Sequence, residues 1–252
     1  MRRESRRARS RPEKTIEQFS LVDALVAGLF DGVFTVEEVG RRGDFGVGCG
    51  DHMDGELVLL DGVFRLFHGD GTVTTLSPSE TLAFAEVVEF APSQSELLET
   101  VPTLEALLAE VDSRVPSPNL FYAVRFAGHF AEVSLREARR QSKPYLPLAQ
   151  AVHDQRENTV TDVRGTLVGF IAPSVFQGIS VSGAHLHFVS DDGLVGGHVL
   201  GVAAATGELA IETCTGLTVR LPLSPEFLAA SLDEAAAGAD EAIRHAESDH
   251  QR

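Results

Sequence analysis

The stretch SGAHLHFVSDDGLVGGHVLG, residues 182–201, decides how this chain is read. Apolar and β-branched residues flank Asp192-Gly193, and Asp-Gly marks a tight hairpin because both central positions tolerate positive φ. With Asp192 and Gly193 as the two turn residues, the register pairs Val189 with Gly196, Phe188 with Gly197 and His187 with His198. Side chains at i and i+2 share one face of a strand, so His185 and His187 project together, and His198 joins them from directly opposite. Three neutral imidazoles converging on a rigid β-face suit zinc or a similar divalent ion, and leave coordination positions for water or substrate. A single strand histidine is more often a polar residue on a solvated face, but three on one face of one hairpin favour a metal. Gly196 and Gly197 predict a bulge or a close backbone approach beside His198.

The surroundings of this hairpin have the same character. Residues 159–170, 178–190, 196–203 and 209–223 are β-rich runs separated by Gly, Pro and Asp-Gly turns, a spacing that predicts an antiparallel barrel or sandwich. Upstream, residues 43–76 carry Asp54-Gly55, Asp61-Gly62 and Asp70-Gly71 between short apolar runs and predict a β-meander. Strand character also runs through 121–133. An apolar stripe at Leu21, Val22, Leu25, Val26 and Leu29 predicts a helix capped at Ser20 and ended by Asp31-Gly32. A second helix follows from Leu104, Leu107, Leu108 and Val111, with Thr103 as its cap. Residues 141–158, with Pro144 and Pro147, form the connection between two halves, one that a sheet can cross.

The expected fold is therefore α+β and mainly β, in three parts. Residues 1–14 form a disordered basic arm, 15–145 an N-terminal domain with a mixed β-sheet and flanking helices, and 146–252 a C-terminal antiparallel β-barrel-like domain carrying the metal hairpin. Leu228, Leu232, Ala236 and Ile243 predict a closing helix interrupted near Gly238.

Composition narrows the function classes. The 252 residues are 43% hydrophobic and 23% charged, with a mean hydropathy of +0.02, values of an ordinary globular chain. No apolar run approaches the roughly 18–20 residues that cross a bilayer. Net charge is −16, and the basic residues of the first fourteen positions leave the remainder more acidic still. A nucleic-acid partner is thus not expected. The basic start has no apolar core or cleavage site of a signal peptide, and Cys49 and Cys214 form no paired motif, so a reducing, cytoplasmic setting is expected. His52, His68, His129, His153, His245 and His250 show no ligand spacing and read as surface or structural.

Three separated motifs carry a resemblance: GDFGVGCGDHMDGELVLLDG (43–62), FYAVRFAGHF (121–130) with RQSKPYLPL (140–148), and the histidine hairpin. Together they resemble the α-acetolactate decarboxylase family, over about residues 16–247. The resemblance implies conversion of 2-acetolactate to acetoin and carbon dioxide, within acetoin and butanediol metabolism, by a cytoplasmic homodimer with no membrane partner. It implies that His185, His187 and His198 hold the metal, usually Zn2+, and that Glu56 of the DGEL motif lies beside the bound substrate as acid/base. The family's arginine falls on Arg136, whose planar fork suits a carboxylate. A second glutamate near the C-terminus falls on Glu247, with Glu241 as the alternative. The family commonly has threonine and a bulky residue where this chain has Cys49 and Gly50, and proline where it has Arg139; Cys49 thus puts a thiol in the substrate pocket in place of a hydroxyl.

The chemistry so implied is a decarboxylation in which zinc, as Lewis acid, stabilises an enediolate that Glu56 protonates. Two other readings fit part of the pattern: a cupin-like three-histidine oxygenase or isomerase using iron or manganese, and a relative that binds a hydroxy-keto ligand without turnover.

Overall fold

The computed structural model describes residues 13–92 and 94–232. Its first seven strands are β1 (Thr15–Phe19), β2 (Phe34–Thr35), β3 (Phe45–Gly50), β4 (Glu56–Leu60), β5 (Val63–Phe67), β6 (Val73–Thr75) and β7 (Thr81–Val88). Then come β8 (Gln94–Thr103), β9 (Phe121–Glu137), β10 (Arg156–Ala172), β11 (Gly183–Ser190), β12 (Gly196–Cys214) and β13 (Gly216–Arg220). The helices are α1 (Val22–Val26), α2 (Val36–Gly40), α3 (Leu104–Asp112), α4 (Leu148–Ala151) and α5 (Pro225–Ala229). No helix among the described residues is long and apolar enough to cross a membrane.

Two sheets result, and the fold is mainly β as expected. The first runs β13-β1-β7-β3-β4-β5-β6, with β2 on β7; it is mixed because β13 lies parallel to β1. The second runs β11-β10-β9-β12-β8 and is antiparallel. β11 also pairs with β12, which closes β9 to β12 into a ring and covers the edge of β11 that would otherwise be open to other chains. The second sheet takes strands from both sides of the 141–158 connection, while β13 returns to the first.

Strand alternation explains the layers. Leu135, Leu167, Leu186, Phe188 and Val199 point into the ring, where Phe188 packs edge-on to Phe130 at 5.3 Å. Burying each such ring contributes about 2 kcal/mol. The alternate residues point outward, so Val168, Phe170 and Val189 meet Phe45, Val47 and Val58 of the first sheet. His185 and His187 belong to this outward set. The site therefore lies between the two sheets and not inside the barrel.

Several local expectations change. Ser20 does not cap α1: its φ is +72°, its N–H donates to Arg220 O, and the helix starts from Leu21 without a side-chain cap. The first-sheet pairing of β1 sets that backbone. Thr103 does cap α3, accepting from Ala106 N at 3.3 Å. The run 196–203 and the first part of the run 209–223 are one strand, β12, bent by register shifts at Val199/Gly201 and Ala205/Gly207, and the rest of the second run forms β13. Most of the predicted closing helix, with Gly238, Glu241 and Glu247, lies outside the described residues.

Candidate metal centre

The hairpin has the register expected of it: His187 pairs with His198, Phe188 with Gly197 and Val189 with Gly196. The turn itself differs. Gly193 N donates to Ser190 O at 2.8 Å, which centres the turn on Asp191 and Asp192, and Gly193 takes φ +72°. Ser190 Oγ donates to Asp192 Oδ1 and accepts from Val195 N, so side-chain bonds hold the longer connection in the same register. Gly196 marks a close approach, since a Cβ there would stand 2.5 Å from Phe188 O and from the Phe67 ring.

The three rings converge. Their centroids are 5.0 Å (His185 to His187), 5.4 Å (His185 to His198) and 5.3 Å (His187 to His198) apart, and one nitrogen of each lies within 4.8 Å of the others. All three are buried. His187 Nδ1–H donates to Leu57 O at 2.8 Å, which leaves Nε2 as the lone-pair nitrogen. That Nε2 is buried and has no hydrogen-bond partner among the described residues, and Glu56 Oε2 lies 3.3 Å from it. Two acceptors so close repel unless a proton or a cation sits beside them, so the donor set fits a divalent ion. Burial, then repulsion from His185, holds the His187 imidazole well below its usual pKa and so in the neutral, ligating form.

The register brings Arg136 to the same place. On β9 it stands opposite His198, so the row Arg136, His198, His187 runs across three adjacent strands and shares one face. Its guanidinium is buried and Nη1 donates to Gln155 Oε1 at 3.5 Å. From the first sheet, Glu56 opens β4, and its Oε1 accepts from Ala138 N at 3.3 Å. Cys49 stands opposite Glu56 on β3. Cys49, Glu56, Arg136 and His185 line one small cavity with Met53 and Phe84. Glu247 lies outside the described residues.

A larger cavity of about 560 Å³ lies beyond Tyr145 and touches none of these residues. A second cluster, Asp31, Asp51 and His52, also has metal-ligand chemistry. Its carboxylates are already committed: Asp31 to Lys143 and Tyr145, each at 2.6 Å, and Asp51 to Gly32 N at 2.7 Å. It ties the KPY segment of the connection to the first sheet, and Tyr145 OH also bonds His52.

The sequence reading missed Glu86 and Ser180. Glu86 Oε2 lies 3.5 Å from His185 Nδ1, and Ser180 Oγ donates to Glu86 Oε1. A lone carboxylate inside the apolar run TLAFAEVV was the available signal.

The chain is similar to known proteins along most of its length. The family model for alpha-acetolactate decarboxylase matches residues 16–234. The chain is 37% identical over 229 residues to the alpha-acetolactate decarboxylase of Bacillus subtilis (strain 168), covering 91% of this chain and 90% of that one. It is 39% identical over 217 residues to that of Methanosarcina mazei, covering 86% and 75%. The crystal structure of the Bacillus subtilis protein superposes with a TM-score of 0.89 at 36% identity, covering 92% of this chain and 99% of the other. On a match of this extent, the chain belongs to the alpha-acetolactate decarboxylase family.

Proposed function

We propose that this protein decarboxylates 2-acetolactate to acetoin and carbon dioxide at the face formed by His185, His187 and His198. The observation that carries the reading is Glu56 Oε2 set 3.3 Å from His187 Nε2, a carboxyl beside three histidines that could hold a metal ion. Similarity to decarboxylases along most of the chain supports it.

A divalent ion held by the three histidines, with zinc as the proposed metal, supplies Lewis-acid stabilisation for the electron pair that stays on the substrate when carbon dioxide leaves. The chain's own groups do the rest. Arg136 presents a planar donor fork to the substrate's polar oxygens and fixes which carbon faces Glu56. The bond to the carboxylate carbon breaks, carbon dioxide departs, and the electron pair moves into the neighbouring carbonyl as an enediolate. Glu56, its Oε1 anchored by Ala138 N, delivers a proton from Oε2 to one face of the carbon and so sets the chirality of acetoin. Val22, Phe84, Leu148 and Val181 wall the cavity with apolar surface and limit water access. Cys49 supplies a thiol to the pocket. Glu247 is proposed to assist proton handling. A homodimer in the cytoplasm belongs to the same reading, and sedimentation velocity tests the dimer.

The test is to incubate purified protein with racemic 2-acetolactate and quantify both products. Equal amounts of acetoin and carbon dioxide, without oxygen uptake, are expected. Oxygen consumption would favour a three-histidine oxygenase, and ligand binding without carbon dioxide release would favour a non-catalytic relative.

A further inference from the structure

Glu86 lies at the middle of β7 with 2% of its surface exposed, and the proposed chemistry does not use it. β7 places it between Gln18 of β1 and Val47 of β3, with its carboxyl on the face turned toward the second sheet. There Oε1 accepts from the Ser180 hydroxyl. Oε2 is buried, makes no hydrogen bond among the described residues, and faces His185 Nδ1 at 3.5 Å. A buried carboxylate supported by one neutral hydroxyl costs several kcal/mol in desolvation. Such a group persists where its charge is used by a neighbour.

We infer that Glu86 is a positioning residue of the metal centre, holding the His185 ring through Nδ1 and lending its negative charge to a ligand set that is otherwise neutral. The inference rests on the metal-binding reading of the triad. The rings of the hairpin are then oriented unequally. His187 is held by a backbone dipole, Leu57 O, whereas His185 faces a full charge, and a charge-assisted bond is roughly twice as strong as a neutral one. Outer carboxylates of this kind raise the basicity of the ligating imidazole. Ser180 extends the effect, because it sits two residues before Ser182 at the approach to β11 and fastens that approach to the first sheet.

The test is zinc binding to the metal-free, full-length protein, measured in competition with a chromophoric chelator. Wild type is compared with Glu86→Gln, which keeps shape and removes charge, and with Glu86→Asp, which keeps charge and shortens the reach. Glu86→Gln should bind zinc about 10–100-fold more weakly, with Glu86→Asp between the two. The melting temperature of metal-free Glu86→Gln should equal or exceed that of wild type, since a buried charge is removed, whereas a purely structural role would lower it and leave affinity unchanged. The cobalt-substituted form should show shifted visible bands in Glu86→Gln. Should Glu86→Gln fail to fold, Ser180→Ala carries the test, with affinity falling about three- to tenfold as Glu86 loses its one hydroxyl donor. Wild-type affinity in the folded variants would overturn the role of Glu86 and leave the triad reading standing. A wild-type chain that takes up no zinc would overturn both.

Discussion

Glu56 and His187 meet across the two sheets, with Glu56 Oε2 3.3 Å from a His187 Nε2 whose partner nitrogen is fixed by Leu57 O. The proposed proton donor and the proposed metal ligand are thus separable in a variant. Glu56→Gln should keep its metal content and lower kcat about 10²–10⁴-fold, as loss of a general acid does. Metal analysis beside steady-state kinetics checks it, and a near-normal rate would remove Glu56 from the mechanism.

Arg136 reaches the site only because β9 sets it opposite His198. Lysine keeps the charge and loses the planar fork, so Arg136→Lys should lower kcat/KM by about 10–100-fold, the cost of one to two charge-assisted hydrogen bonds. Metal content should not change. Wild-type kcat/KM in this variant would show that the fork is not used.

Cys49 offers a weak hydrogen-bond donor beside Glu56. Restoring a hydroxyl with Cys49→Thr should raise kcat/KM about fivefold, in line with roughly 1 kcal/mol for a gained hydrogen bond. A fall in kcat/KM would mean that the thiol packs against the pocket wall and does not meet substrate.

Glu137, on the opposite face of β9 from Arg136, is a buried carboxylate bonded to Arg156 at 2.9 Å, and its Oε2 has no hydrogen-bond partner among the described residues. Desolvation raises its pKa above the usual value, and Arg156 offsets this only in part. The folded state then binds this proton more tightly than the unfolded state. Between the unfolded pKa and the higher folded one, its contribution to stability falls as pH rises. Glu137→Gln should therefore be more stable than wild type at pH 7, by on the order of 1 kcal/mol, and lose that advantage below about pH 4.5. Thermal melts at the two pH values check it; a variant less stable at pH 7 would show that the Arg156 bond outweighs the burial.

Local signals in the sequence were enough for the hairpin, the meander and the Thr103 cap, because each depends on residues near in the chain. The register that joins His187 to His198 survived even though the turn moved from Asp192-Gly193 to Asp191-Asp192, since Gly196 admits the close approach of β11 and Gly197 that of β9. Glu56 and Arg136 came from family resemblance; local spacing could not choose Arg136 among Arg125, Arg139 and Arg140. Long-range pairing hid the rest. The parallel β1–β13 pair joins residues about 200 positions apart, and Glu86 becomes part of the site only when β7 is placed in the first sheet and the second sheet packs on it.

The central claim is that the triad holds a metal on which decarboxylation depends. Its most direct measurement is acetoin formation from racemic 2-acetolactate by wild type and His198→Ala, each as purified, after chelator treatment, and after zinc is restored. The account predicts wild-type activity that the chelator abolishes and zinc restores, with His198→Ala inactive throughout while still folded. Chelator-resistant acetoin formation, or full activity in His198→Ala, would contradict it.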